Sequence, residues 1–282
     1  MQVKKFAPTA PKFAMLQNLA IVFQTGEKAD ILASLQDFKA NPAFNGTGWQ
    51  KAFSKLENVI LSGLPLFKIF AKGNSKLPFV AFSTLPGVTC PGAGACLDFC
   101  YSFKAWRYPS AFARQCQNAF LLRFNRPAIS AALAIIPGNF EMRLYVDGDF
   151  SNPMDVHFWM TELKNNPNVN AYGYSKSFAL LLAYNVVNTW PTNYMLNISS
   201  GHNASAAMVD YVRALPITRG EFIAVDIGFK PVYGTAETNN AVRAKFNEKV
   251  FSCPGKCGTC TGAGHACGLP AMKGRIIAIA IH

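Results

Sequence analysis

FVAFS at residues 79–83 runs directly into TLPGVTCPGAGACLDFCYSF at residues 84–103, and this junction decides the fold. A short run of aromatic and β-branched residues, stopped by Pro86-Gly87, reads as a strand that empties into a loop. The loop carries Cys90, Cys96 and Cys100, spaced C-x5-C-x3-C with glycines between them. Three thiols in one loop with no fourth close by leave one metal position open. A structural zinc site is normally closed by four ligands.

Outward from this junction the same rhythm recurs. Strand-like runs at 142–146, 169–174, 194–198, 222–227 and 275–281 each stand beside turn residues and helix-length segments. Six such β units imply parallel strands joined by right-handed crossovers, in a partial barrel or a doubly wound sheet. Both architectures gather functional groups at the C-terminal ends of their strands. Those ends hold Asp147-Gly148-Asp149, Ser175-Lys176, Asn197 with Ser199, and Asp226, which together predict a polar mouth. An acidic group beside a glycine turn, as at Gly148-Asp149, suits an ammonium ligand. His202, just after the fourth run, is placed for acid/base work. Lys176 is placed to contact a phosphate or carboxylate. His157 reads as a helix-surface histidine.

A second thiol-rich stretch, SCPGKCGTCTGAGHACG at 252–268, lies between the fifth and sixth runs. Its Cys253, Cys257, Cys260 and Cys267 are spaced C-x3-C-x2-C-x6-C, which suits a closed tetrahedral zinc site or a fully ligated auxiliary cluster. His265 is a further ligand or a supporting group. Cys116, alone in an apolar helix, reads as a buried small side chain.

Residues 1–75 read as a mainly helical N-terminal extension, with helical spacing at 30–39 and 49–61, and residues 76–282 as the metal-cluster domain. No stretch reaches the roughly 18–20 apolar residues needed to cross a bilayer. The apolar run at 13–23 is interrupted by Gln17-Asn18 and lacks a cleavage site. A cytoplasmic protein without membrane attachment is expected, and there clustered cysteines favour metals over disulfides.

The chain carries 27 basic and 15 acidic residues, a net charge of +12, which favours an anionic partner such as nucleic acid or a nucleotide. No acidic residue lies between Asp98 and Glu141, where Lys104, Arg107, Arg114 and Arg123 alternate with aromatic rings. These cations are the expected nucleic-acid contacts, with the rings available for base stacking. The competing reading is an amphipathic helix whose rings belong to the core.

The cysteine loop after the first strand, ending in Cys100-Tyr101, resembles the cluster loop of radical S-adenosylmethionine enzymes, although their usual spacing is C-x3-C-x2-C. That resemblance implies an α/β fold, a partial (β/α)6 barrel of radical-SAM type. It implies a 4Fe–4S cluster on Cys90, Cys96 and Cys100 with S-adenosylmethionine at its open iron. Gly148 and Asp149 then stand where that superfamily's Gly-Gly-Glu-type motif meets the cofactor's amino group. Ser175, Asn197, Ser199 and Asp226 complete a cofactor-binding mouth. The second cysteine group would hold another 4Fe–4S cluster or zinc. More narrowly, TCPGAGACLDFCY, RLYVDGDFS and AYGYSKS resemble the uncharacterised gene product eighty-eight-like proteins of bacteriophages, over roughly residues 75–267, which places the chain in a host cytoplasm. Two functions are expected to compete: an iron–sulfur enzyme acting on nucleic acid or a nucleotide, and a non-enzymatic nucleic-acid-binding protein with structural zinc or iron–sulfur sites. A metal-stabilised barrel acting through a protein partner is the third.

Overall fold

The computed structural model describes residues 11–74, 77–258, 260–261 and 264–281. Among them, eight strands form one sheet: β1 (Ala71–Asn74), β2 (Leu77–Ala81), β3 (Phe140–Leu144), β4 (Val169–Ser175), β5 (Tyr194–Ser199), β6 (Thr218–Val225), β7 (Phe251–Ser252) and β8 (Ile277–Ala280). Their order is β1-β2-β3-β4-β5-β6-β8-β7. β1 pairs antiparallel with β2, and the other seven strands run parallel and curl into a half-barrel. From β2 to β6 each strand lies beside its predecessor, and with right-handed crossovers this puts all the connecting helices on one face. A doubly wound sheet requires a reversal of strand order, which is lacking from β2 to β6.

Three helices precede the sheet, α1 (Pro11–Thr25), α2 (Lys28–Ala40) and α3 (Thr47–Ser62). α4 (Pro109–Phe124) and α5 (Arg126–Ala134) connect β2 to β3, and α6 (Pro153–Asn165), α7 (Phe178–Val187) and α8 (Ala206–Arg213) form the next three crossovers. α9 (Ala236–Arg243) follows β6. Local chemistry sets several starts. The Asn152 side chain accepts from Asp155 N ahead of Pro153, and Ser205 and Thr235 accept from Met208 N and Thr238 N.

Period-two alternation gives the strands two different faces. Met142, Leu144, Val169, Ala171, Leu196 and Ile198 enter the main core with the helices. Arg143, Tyr172, Tyr174, Met195 and Asn197 occupy the intervening positions and line the concave side, where Tyr172 and Ile277 pack with Cys267. The second cysteine stretch therefore fills the inside of the curl.

The main core is continuous from α1 to β6, so Leu16, Phe23, Phe53 and Leu56 share it with the strands. Phe13 stacks on Trp106 at 5.0 Å, and Trp106 meets Phe112 edge-on at 5.2 Å. Trp106, Phe112 and Phe120 are buried, as is Cys116, so these rings of the basic segment serve packing, whereas Tyr108 at the start of α4 is exposed. The apolar run at 13–23 is the buried stripe of α1.

β6 begins at Thr218, four residues ahead of the predicted run, because Arg219 is accommodated inside the protein. Its Nε donates to Asn197 Oδ1 (2.6 Å), and its terminal nitrogens reach the carbonyls of Arg275 (2.6 Å) and Glu221 (2.9 Å). The edge strands β1 and β7 carry no apolar pattern of their own and are defined by the neighbours they pair with. No helix among the described residues is long and apolar enough to cross a membrane.

Candidate functional site

Beyond their strand ends, β2 and β3 continue side by side: Phe82 N donates to Arg143 O, Val146 N to Phe82 O and Thr84 N to Asp147 O. Within this stretch Tyr145 adopts φ 55°, the left-handed region that costs a bulky residue energy. Its ring is locked by Phe82, Phe150 and a hydrogen bond from Trp159 Nε1 (3.1 Å). The bend carries Asp147-Gly148-Asp149 across the mouth. Gly148, at φ 81°, lies so close to the cysteine loop that a Cβ would come 2.1 Å from Thr84 Oγ1 and 2.6 Å from Thr89 Oγ1. Its observed role is this close approach.

The cysteine loop then crosses the ends of β4 and β5. A Cβ on Gly92 would stand 1.7 Å from Lys176 O, so only glycine fits there. Gly94 N and Cys96 N both donate to Gly201 O (3.0 and 3.1 Å), and Asn203 N donates to Gly92 O (3.1 Å). Burial pushes the Cys90 thiol far up, and the Asp149 charge adds to it. Burial also raises Cys100, with Cys96 and Asp147 acting the same way. The three thiols thus share one electrostatic neighbourhood. All the cysteines are free, and among the described residues no three His, Cys, Asp or Glu side chains converge to ion-holding distance.

Asp149 is buried and accepts from Lys176 N (2.7 Å), Ser175 Oγ (2.8 Å) and Phe150 N (2.8 Å). It ties the β3 turn to the end of β4, and burial raises its pKa. Lys176 Nζ donates to Ser199 Oγ (2.7 Å), joining the ends of β4 and β5. His202 rests on Phe178 with ring centroids 4.9 Å apart, and partial burial together with the Lys176 charge lowers its pKa. Its Nδ1 accepts from Ala204 N (3.3 Å), which leaves the ring proton on Nε2. Cys90, Asp149, Ser175, Lys176, Ser199 and His202 are therefore brought to one end of the half-barrel. Asn197 and Asp226 are not part of this group. Asn197 lies on the concave face, donating to Gly173 O (3.1 Å) and Cys267 O (3.0 Å). Asp226 is exposed and caps its own turn through Gly228 N (2.8 Å). His157 is exposed on α6.

In the second stretch the Cys253 thiol is pushed up to about 12 by burial, with Cys267, Cys257 and Cys260 adding to it. Burial pushes Cys267 up to about 11. Ala266 N donates to Cys260 Sγ (3.3 Å). His265 is held by the surrounding chain. Its Nδ1 accepts from Gly268 N (3.1 Å), its Nε2 meets Glu141 Oε2 (3.1 Å), and Tyr172 and Phe79 flank its ring. Both ring nitrogens are committed to protein partners.

The basic segment divides. Arg123 donates to Phe23 O and Gly26 O (both 2.8 Å) at the C-terminal end of α1. Arg114 is half-buried within reach of Asp147. Lys104 and Arg107 lie on the 3-10 turn Tyr101–Arg107 that follows the cysteine loop, with Arg107 exposed. Arg143 is the group that sequence reading passed over. A lone cation inside the run MRLYV was the available signal.

A family model described as Gene product 88 matches residues 55–269, well over half of the chain and including both cysteine groups. No curated protein and no solved structure matches.

Proposed function

The chain belongs to the gene product 88 family of phage proteins. From the placement of its cysteines on the fold, we propose that it is an iron–sulfur protein of radical S-adenosylmethionine-like build that acts on nucleic acid or a nucleotide in the host cytoplasm. One observation carries this reading: a three-thiol loop leaves the first parallel strand of a curled half-barrel and lies across the C-terminal ends of the next strands. The donors suit the group. Cys90, Cys96 and Cys100 would supply three thiolates to a 4Fe–4S cluster, leaving one iron for S-adenosylmethionine, and Cys253, Cys257, Cys260 and Cys267 would close a second cluster or a zinc site.

A cluster held by Cys90, Cys96 and Cys100 would supply one-electron reducing chemistry to a bound cofactor. The chain's own residues do the rest. Lys176, held by Ser199, presents positive charge at the mouth for a carboxylate or phosphate. His202, kept neutral by burial and by Lys176, holds a transferable proton on Nε2. The bonds from Gly94 N and Cys96 N to Gly201 O fix the cysteine loop over that end. Protein purified without oxygen is expected to be brown, with about four irons per cluster site. Cys96→Ala is expected to lose the irons of the first site. Colourless wild-type protein containing only zinc overturns the proposal.

A second reading, a nucleic-acid-binding protein with structural metals, is favoured by the exposed Arg107 lying between Tyr101 (49 % exposed) and Tyr108 (66 % exposed) in the stretch after the cysteine loop. Single-strand affinity that falls in log–log salt plots by about 0.7 per phosphate contact, from colourless protein, would select it.

A further inference from the structure

Arg143 occupies an inward position of β3, in register with Tyr172 of β4. Its Nε is shielded from solvent and has no hydrogen-bond partner, and the same holds for the Tyr172 hydroxyl. One terminal nitrogen donates to Tyr101 Oη (3.3 Å), the residue after Cys100, and the guanidinium lies over the Tyr174 ring at 4.6 Å. On the other side, Tyr172 and Tyr174 pack against Cys267, Cys253 and Cys260. Arg143 is only partly buried, but its enclosed and orphaned Nε carries a desolvation cost that nearby negative charge would offset. Arg143 has no carboxylate among its described hydrogen bonds and ion pairs, and Asp147, which feels its charge, is bound to Gln115. Its neighbours are Tyr101, one residue past Cys100, and Tyr172 and Tyr174, which share a cluster with Cys253, Cys260 and Cys267.

We infer that Arg143 is the counter-cation shared by both cysteine sites, facing the first through Tyr101 and the second through Tyr172 and Tyr174. The inference rests on the metal reading above. Three or four thiolates around an ion or cluster carry net negative charge, and a fixed guanidinium between the two sites offsets it at both. Arg143 is thus a positioning and charge-compensating residue, and it also explains why a cation stands inside an apolar strand.

The test uses anaerobically reconstituted full-length chain in Cys96→Ala and Cys260→Ala backgrounds, each retaining one intact site. Metal affinity is measured by chelator competition for wild type, Arg143→Met and Arg143→Lys, with thermal melts of the metal-free proteins. Arg143→Met is expected to weaken metal binding at each site by about tenfold or more. Arg143→Lys, which keeps the charge, is expected to recover most of the affinity. If a site holds a cluster, its midpoint potential falls in Arg143→Met, because losing a nearby positive charge disfavours the reduced form. Wild-type affinity in Arg143→Met overturns the inference, and so does a loss confined to one site. Equal losses in Met and Lys variants, tracking a lowered apo melting temperature, assign Arg143 to packing and overturn it as well. Wild-type protein that takes up no metal fails the functional proposal itself, a result distinct from any of these.

Discussion

At the scale of single residues, the mouth is built by positions where ordinary side chains do not fit. The peptide of Lys176 occupies the space that a Cβ on residue 92 would need, and both partners are backbone. Neither can swing away as a side chain would. Gly92→Ala is therefore expected to cost about 3 kcal/mol, the upper end of overpacking, read as a lowered urea midpoint with an unchanged slope. A wild-type midpoint would mean that the loop moves away from β4 freely. Tyr145 shows the opposite arrangement, a bulky residue kept in a left-handed conformation by Phe82, Phe150 and Trp159. The packing of the ring offsets the backbone cost, and the chain gains a bend that delivers Asp147 and Asp149 to the site.

Among elements, the distinction between structural and available cations follows from what each side chain holds. Arg123 on α4 caps the C-terminal carbonyls of α1, where the helix dipole also favours a cation. Arg123→Met should cost about 3 kcal/mol through two lost charge-assisted bonds. It should leave the salt dependence of any nucleic-acid binding unchanged. Arg107, at the exposed end of its 3-10 turn, is expected to behave in reverse. Arg107→Ala should be neutral for stability and reduce the salt slope by about one if it contacts a phosphate. Parallel urea and salt titrations check both expectations, and a loss of slope in Arg123→Met would reverse the assignment. The basic, aromatic composition of 104–126 was visible from the sequence. The separation of roles was not, because Arg123 finds its partners 97 and 100 residues away.

For the whole molecule, the helices ahead of the sheet are held to it by both packing and polar contacts. The Gln117 side chain accepts from Leu66 N and Phe67 N (both 2.8 Å), and Asn118 Nδ2 donates to Ile69 O (3.1 Å) and Ser83 O (3.0 Å). Trp49 meets Phe112 at 6.0 Å, and Phe13 covers Trp106. A chain limited to residues 76–282 would strip Gln117 of its bonds to Leu66 and Phe67, Asn118 of its bond to Ile69, and Trp106 and Phe112 of one ring each. It is expected to lose near-ultraviolet circular dichroism and a cooperative melt, whereas the full chain keeps both. A cooperatively folded fragment would establish residues 1–75 as dispensable for the core.

The amino-acid sequence by itself determined the β-strand rhythm, the parallel α/β class and the two thiol groups, because apolar period and cysteine spacing are local quantities. It also marked the strand ends at which Lys176, Ser199 and His202 gather. Only the tertiary structure decided that the sheet curls with its helices on one side, which depends on strand order. It alone put the second cysteine stretch inside the curl, turned Asn197 and Arg219 into supports for Cys267, and brought Arg143 against Tyr101 and Tyr174. These outcomes join residues far apart in the chain, and their energy comes from burial and from satisfying polar groups that no local pattern records.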